Sequence, residues 1–216
     1  MERAAGVVLA VSSLPSPYGI GSFGKAAFDF ADFAAAAGLK LWQLLPLGPT
    51  SYGDSPYQSF STFAGNPYYI DPEKLIEDGL LTKAEVEMCY WGEDPRHVDY
   101  GAIYQSRFRI LELARKRGWE RDREKVERFE QENAAWLPDY CLFMACKRHF
   151  GMRAWMEWPE EIRLRKAPAV EEYRTLLKDD VELFTYIQYL FYRQWFELKE
   201  YVHGKGLRLI GTCRST

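Results

Sequence analysis

The sequence predicts an α/β protein in which a group of helices is inserted into a repeat of β-strands and α-helices. Three observations support this fold class. The first part of the chain is patterned strand, loop, helix, strand; the middle is helical and charged; and a strand-like segment returns near the end. Two strands joined by a helix form a right-handed βαβ unit, so we expect a parallel sheet.

The first βαβ unit is carried by three segments. The run "GVVLAV", residues 6–11, is apolar and β-branched, which predicts a strand buried on both faces. The segment "FGKAAFDFADFAAAAG" places its apolar residues at helical spacing and predicts a helix that ends at Gly38. The segment "LKLWQLLPLGPT" predicts a second buried strand.

The middle of the chain predicts a helical insertion. Thr82 and Glu85 have the spacing of a capping box at a helix start. The segment "DYGAIYQSRFRILELARKRG" predicts a longer helix that ends at Gly118, and two more helices follow, separated before Pro138. The segment "MEWPEEIRLRKAP" predicts an irregular connection.

The α/β pattern resumes at the end of the chain. Asp180 is a plausible N-cap for a helix that runs to Gly204 with one broad apolar face, and "LRLIG" predicts a third buried strand. Three segments follow from these patterns. They are 1–72 with the first two strands and an aromatic loop, 73–179 as the helical insertion, and 180–211 as helix and third strand.

Composition limits the classes of partner. The net charge is -3 and the pI is about 5.8, which does not favour nucleic acid. Four cysteines show neither CxxC pairs nor zinc-site spacing, so we expect reduced thiols and no metal. The N-terminus lacks a signal-peptide pattern, and no apolar run has membrane-spanning length. These features predict a cytoplasmic protein without a membrane partner.

The segment "TSYGDSPYQSFSTFAGNPYYIDP", Thr50 to Pro72, is rich in aromatic and polar residues without helix or strand periodicity. Ligand sites in βα architectures lie at the C-terminal ends of parallel strands. The two loops that would meet there are 12–24 and 46–72. Long ordered loops at that end of a sheet are usually functional, so we place the candidate site in them.

The chemistry of this aromatic loop suits a carbohydrate. A tyrosine can stack on the C–H face of a pyranose, while hydroxyl and amide groups bind its hydroxyls. Residues that supply both kinds of contact are Tyr52, Asp54, Ser55, Tyr57, Gln58 and Asn66. The alternative is that the rings only anchor the loop, and composition favours that role for Phe60, Phe63, Tyr68 and Tyr69. For Tyr57 both roles stay open.

Two segments carry a family resemblance. "SSLPSPYGIGSFG" and "LWQLLPLGPTSYGDSPYQSFSTFAGNPYYID" resemble the N-terminal region of the 4-α-glucanotransferases, also called amylomaltases or disproportionating enzymes. The resemblance covers most of residues 5–81, and a string of this length is highly specific. The helical middle and the later "GKGLRLIG" are similar to the family in pattern.

The resemblance implies a (β/α)8 TIM barrel with a large helical insertion after the second strand, incomplete in this chain. It also implies retaining transfer between α-1,4-glucans, with maltodextrin as the partner molecule and no metal or organic cofactor. An aspartate would form a covalent glucosyl-enzyme, and a glutamic acid would protonate the leaving oxygen. Retaining chemistry needs these two carboxyl groups about 5–5.5 Å apart.

The same resemblance implies three substrate-binding residues. Tyr57 would stack on the sugar next to the scissile bond, Ser55 would touch a hydroxyl nearby, and Tyr52 would belong to an outer glucan-binding surface. The family's catalytic carboxylates lie on later strands, so no catalytic residue is assigned and the chain alone is expected to be inactive. The alternatives are a non-catalytic glucan-binding fragment and a helical interaction module.

The last five residues depart from the family pattern, which continues after "LIG" with Asp-Leu-Pro-Ile-Tyr-Val. Here the chain reads "TCRST" from Thr212 to Thr216. Removing one G from GGG GAC CTG CCG ATC TAC GTG gives GGG ACC TGC CGA TCT ACG, which encodes Gly-Thr-Cys-Arg-Ser-Thr. We therefore expect residues 212–216 to be a frameshifted tail without function.

Overall fold

A small parallel sheet organises the N-terminal part of the fold. The computed structural model describes residues 3–50, 53–94 and 96–211. The strands are β1 (Gly6–Val8), β2 (Leu41–Leu44) and β3 (Arg208–Gly211). They are parallel in the order β1-β2-β3, with Val7 opposite Trp42 and Trp42 opposite Leu209. The predicted parallel βαβ arrangement is confirmed.

Helices make up most of the remaining described chain. They are α1 (Lys25–Ala36), α2 (Pro72–Glu77), α3 (Lys83–Glu87), α4 (Tyr100–Gly118), α5 (Arg123–Glu132), α6 (Leu137–His149), α7 (Glu160–Arg163), α8 (Ala167–Leu176) and α9 (Lys178–Gly204). Single 3₁₀ turns lie at Val11–Ser13, Pro67–Tyr69 and Trp155–Glu157. No helix in the described ranges has the length and apolar character needed to cross a membrane.

Strands β1 and β3 are less buried than predicted. The sequence predicts burial on both faces, but Val8 is 60% exposed and Ile210 is also exposed, while Trp42 and Leu44 of the central strand are buried. Within the described residues β1 and β3 are the two edges of the sheet. A strand at an edge has a neighbour on one side only, so its side chains receive less cover.

Helix α1 forms and ends as predicted. Ala27, Ala31 and Ala34 are fully buried along one face. Gly38 has φ +76°, a backbone conformation that costs glycine little, and the following Leu39 N–H donates to the Ala34 carbonyl at 3.0 Å. This ending turns the chain directly into β2.

The chain divides into two compact units. Unit 1 comprises Met1–Ala114 with Leu190–Thr216, and unit 2 comprises Arg115–Tyr189. Helices α4 and α9 contribute residues to both. The limits 73–179 for a helical insertion stay a prediction.

Unit 2 contains two helices that the sequence pattern missed. The segment predicted to be irregular forms the 3₁₀ turn Trp155–Glu157 and helix α7, and α8 follows. Pro159 is the N-cap of α7, and Pro168 lies in the first turn of α8. A proline in the first turn starts a helix, because its missing N–H would have no partner there.

Helix α9 has the predicted apolar face. Its residues Leu183, Ile187, Leu190, Leu198 and Val202 are buried. The helix begins at Lys178, three residues before the start that an Asp180 N-cap predicts, so Asp180 lies in its first turn instead of capping it. A carboxylate in the first turn still interacts favourably with the helix dipole.

Candidate functional site

A tight turn presents the residues of the aromatic loop that follows β2. Gly53 and Asp54 have positive φ angles of 89° and 54°. The Gln58 N–H donates to the Ser55 carbonyl at 3.0 Å, and the Tyr57 N–H donates to Ser55 Oγ at 3.4 Å. The turn leaves the Tyr57 side chain 47% exposed.

The three predicted substrate-binding residues differ in how the structure places them. Ser55 and Tyr57 are brought together in one turn, with Ser55 partly buried and Tyr57 exposed. Tyr52 lies outside the described residues. The sugar contacts of all three residues stay a prediction.

The other rings of the loop divide into anchors and exposed groups. Tyr68 and Tyr69 are buried, as predicted. Phe60 and Phe63 are exposed, the latter to 60%, so they are not buried as the anchoring role predicts. The difference follows from local structure. The buried side chain of Asn66 accepts the Tyr68 N–H at 2.9 Å and caps the 3₁₀ turn that contains both tyrosines.

Two glycines permit close approaches that fix the loop. A Cβ atom at Gly65 would lie 2.1 Å from the ring of Phe191, and one at Gly48 would lie 2.6 Å from Ser59 Oγ. The Ser59 hydroxyl donates to the Ser61 carbonyl at 2.8 Å. These contacts leave no space for larger side chains at either glycine.

Asp71 joins the end of the loop to two other elements. Its carboxylate caps α2 by accepting the Lys74 N–H at 3.2 Å, and it also accepts the Ser22 hydroxyl at 2.5 Å. Its backbone N–H donates to Gln194 Oε1 at 2.7 Å, and Gln194 Nε2 donates to its carbonyl at 3.2 Å. The loops after β1 and β2 are thereby tied to α9.

Arg107 supports the same loop end from α4. The side chain is fully buried, and its NH1 group donates to the Ile70 carbonyl at 2.5 Å. The guanidinium lies 5.1 Å from the ring centroid of Trp91. Its Nε and NH2 groups have no hydrogen-bond partner among the described residues. Burial lowers the pKa of Arg107 to about 10, an effect that the nearby Asp71 charge opposes, so the group is protonated at neutral pH.

Sequence reasoning missed Arg107 and Gln194. A usable signal exists for Arg107, because it lies four residues after Ile103 and three before Ile110, both fully buried. A charged residue on the buried stripe of a helix must find partners inside the protein. Gln194 is buried in α9 in the same way.

A polar cleft lies beside the end of β1. Its volume is about 480 Å³, and Ser12, Ser13 and Ser16 contribute hydroxyl groups to its lining, together with Arg96. Its wall also contains Ile20, which packs in one cluster with Tyr68 and Ile103. The cleft therefore lies next to the buried anchor of the aromatic loop.

The turn is close to the same cluster. Burial and, secondly, the charge of Asp54 raise the pKa values of Tyr68 and Tyr100. Tyr100 packs on the Tyr68 ring with 6.1 Å between centroids. The two phenols stay neutral at physiological pH and can act as hydrogen-bond donors near Asp54.

This arrangement combines exposed rings, hydroxyl groups and a neighbouring polar cleft. Such a surface binds a ligand that has both apolar faces and hydroxyl groups. The Asp71 carboxylate is committed to capping α2 and to Ser22. No group of three or more His, Cys, Asp or Glu side chains in the described ranges is arranged to hold a metal ion.

Comparison with known proteins gives a consistent result. The family model described as 4-alpha-glucanotransferase matches residues 9–213. The 4-alpha-glucanotransferase of Clostridium butyricum is 45% identical over 201 residues, which is 93% of this chain and 41% of that enzyme. The enzyme of the same name from Thermus thermophilus is 42% identical over 215 residues, 98% of this chain and 42% of that protein.

A solved structure agrees with these relatives. The amylomaltase from Streptococcus agalactiae, in complex with acarbose, superposes with a TM-score of 0.93 at 42% identity, covering 97% of this chain and 43% of that one. The chain thus spans about two fifths of the length of the relatives it matches. With its small parallel sheet, its many helices and this level of identity, the chain belongs to the 4-alpha-glucanotransferase family.

Proposed function

We propose that this chain is part of a 4-α-glucanotransferase, which moves a segment of an α-1,4-glucan to the 4-hydroxyl of a new acceptor with retention of configuration. The observation that carries the proposal is the exposed Tyr57 next to Ser55, in a turn after a parallel strand of a chain from this family. An exposed ring beside a hydroxyl matches the two faces of a glucose unit.

In this proposal Tyr57 stacks on the sugar next to the scissile bond, Ser55 contacts a hydroxyl of the same region, and Tyr52 belongs to an outer part of the glucan surface. We assign the hydroxyl-lined cleft after β1 to the same surface, because its Ile20 packs in one cluster with Tyr68 of the aromatic loop. Maltodextrin is the partner molecule, and the chemistry needs no cofactor. The described cysteines, Cys89, Cys141 and Cys146, are free thiols, which fits our proposal that the protein acts in the cytoplasm.

We further propose that the three parallel strands are the first strands of a (β/α)8 barrel. The nucleophile and the acid/base would then be carboxyl groups outside residues 1–216, about 5–5.5 Å apart. Two observations support this placement: the chain spans about two fifths of its relatives, and Asp71, the buried carboxylate of the loops, is held by structural hydrogen bonds. The chain alone is then inactive.

The test compares the chain with a hybrid enzyme. In the hybrid, residues 1–211 replace the matching region of the Clostridium butyricum enzyme, and products from maltotriose are separated by chromatography. The hybrid should form glucose and longer maltodextrins, and the 216-residue chain should form none. Tyr57→Ala in the hybrid should lower kcat/KM about 2- to 12-fold, the equivalent of one lost aromatic contact.

Two controls make this result specific. Tyr57→Phe keeps the ring and should retain most of the activity. Tyr90→Ala removes a similarly exposed tyrosine outside the loop and should leave kcat/KM unchanged. Unchanged kinetics for Tyr57→Ala would show that the stacking role is wrong. Product formation by the chain alone would overturn the placement of the carboxyl groups.

A further inference from the structure

Unit 2 contains a cavity that has no part in the site described above. Its volume is about 360 Å³, at the lower end of the range of about 300–1,000 Å³ for ligand pockets. Helices α6, α7 and α8 and the 3₁₀ turn Trp155–Glu157 all contribute side chains to its wall. Phe143, Trp155 and Trp158 form its aromatic part.

The aromatic part is preorganised by packing. Trp158 is buried and contacts the rings of Phe143 and Phe150, each at 5.4 Å between centroids. Ile162 and Ala169 belong to the same core cluster. Trp155 is 51% exposed and stands at the cavity as an accessible indole surface. A buried wall with one exposed ring is the arrangement of a ligand site more than of a flat contact surface.

Charged groups converge on the same cavity. Arg165 NH2 donates to Asp139 Oδ1 at 2.7 Å, and Arg163 NH1 donates to the Met156 carbonyl at 3.1 Å. Arg165 has φ +54°, a conformation that residues other than glycine rarely adopt. This conformation belongs to the end of α7, where the Lys166 N–H donates to the Glu161 carbonyl at 3.0 Å. The Arg165 side chain reaches Asp139, 26 residues away in sequence.

We propose that this cavity binds a glucose unit of an α-glucan and forms a second sugar site, separate from the aromatic loop. The inference rests on the proposed function. Trp155 supplies the platform for the apolar face of the ring. The Asp139–Arg165 pair supplies a planar set of acceptors and donors that matches two neighbouring sugar hydroxyls. A purely apolar ligand would use the rings and leave these charged groups without a partner in the ligand.

The experiment uses the 216-residue chain labelled with ¹⁵N at tryptophan, which gives one indole signal for each of its seven tryptophans. Trp155→Phe and Trp158→Phe assign the two signals of interest. Titration with maltotriose should shift both signals in a saturable way, and cellotriose, with β-1,4 links, should not shift them. The shifts should persist in Tyr57→Ala, because that residue belongs to the other site.

Two further variants measure the roles of the ring and the charge. Trp155→Ala and Arg165→Gln should each weaken the maltotriose affinity read from the Trp158 signal at least about 5-fold. Leu176→Ala, an exposed apolar residue of the same unit outside the cavity lining, is the matched control and should leave that affinity unchanged. Unfolding curves of each variant check that it is folded.

The outcomes separate this inference from the proposed function. If Trp155 and Trp158 stay unshifted while Tyr57→Ala still weakens maltotriose binding by calorimetry, the second site is wrong and the loop site stands. If the shifts appear and Tyr57→Ala has no effect on maltotriose binding, the second site stands and the loop site is wrong. Equal shifts with cellotriose, or shifts that follow protein concentration without sugar, would overturn the α-glucan assignment.

Discussion

At the scale of single residues, Gly65 is one of the positions that hold the aromatic loop against the core of unit 1. Gly65 allows the Phe191 ring to lie where a Cβ atom would otherwise be, at 2.1 Å. The ring is itself enclosed, since Phe191 is buried and packs on Phe23 at 5.2 Å between centroids. Neither partner can move without disturbing the core of unit 1.

We therefore predict that Gly65→Ala destabilises the protein by about 1–3 kcal/mol, the usual cost of overpacking a core. Gly204→Ala is the matched control, because a Cβ there meets nothing within 4 Å. Urea unfolding of both variants measures the difference. Equal midpoints for the two variants would show that the loop is not held against Phe191.

Arg107 illustrates a different cost at the same scale. Its guanidinium is fully buried and makes one hydrogen bond, to the Ile70 carbonyl. Removing this charge from water costs free energy of folding. The Trp91 ring and the charge of Asp71 offset part of this cost. The desolvation cost of Arg107 therefore falls at the point where the loop that carries Tyr57 returns to the helices.

At the scale of elements, two helix N-caps differ in what surrounds them. Asp71 caps α2 in a buried position and also accepts the Ser22 hydroxyl, whereas Thr82 caps α3 in an exposed capping box with Glu85. Removing the exposed cap Thr82 removes only the hydrogen bonds of the capping box. Removing the buried one also leaves the Ser22 hydroxyl without its acceptor.

We predict that Thr82→Ala costs about 1 kcal/mol of unfolding free energy and that Asp71→Ala costs about 1–3 kcal/mol more. The two variants are compared by urea unfolding at neutral pH. The Asp71 variant should also expose the loop, which limited proteolysis between residues 53 and 66 can detect. A smaller cost for Asp71→Ala than for Thr82→Ala would contradict this account of the loop end.

Sequence patterns predicted correctly the features that depend on neighbouring residues in the chain. The capping box at Thr82, the glycine end of α1 and the apolar face of α9 are all confirmed. The patterns missed α7 and α8, since their prolines signal a break as readily as a helix start. They also predicted burial for Phe60 and Phe63, which are exposed, because composition does not tell which ring of a loop faces inward.

At the scale of the whole molecule, buried tyrosines make the free energy of unfolding depend on pH in the alkaline range. Burial raises the pKa values of Tyr18, Tyr68 and Tyr140, and raises that of Tyr69 to about 12 from 10.0. Above pH 10 the unfolded chain releases these protons while the folded chain retains them. The unfolded state then binds fewer protons, so the free energy of unfolding falls as pH rises.

The buried thiols act in the same direction, because burial raises the pKa of Cys141 to about 12 and that of Cys146 to about 11 from 9.0. We predict that stability stays level below about pH 8 and decreases between about pH 9 and 12. Tyr69 alone accounts for at most about 3 kcal/mol of this loss, since its pKa rises by about two units. Neutralisation of Arg107, whose pKa is lowered to about 10, acts in the opposite direction. Urea midpoints measured against pH test this, and Tyr69→Phe should flatten the curve. Midpoints that rise with pH would contradict the prediction.

The paired hydrogen bonds between Asp71 and Gln194 also bear on how the protein is made. The two residues are 123 positions apart in sequence. At a synthesis rate of about 5–20 residues per second, the ribosome needs about 6–25 s to travel between them. Through that interval the nascent loop lacks its α9 partner, and its exposed rings Tyr57, Phe60 and Phe63 can meet other chains. A chaperone that shields aromatic segments during translation should therefore raise the yield of folded protein.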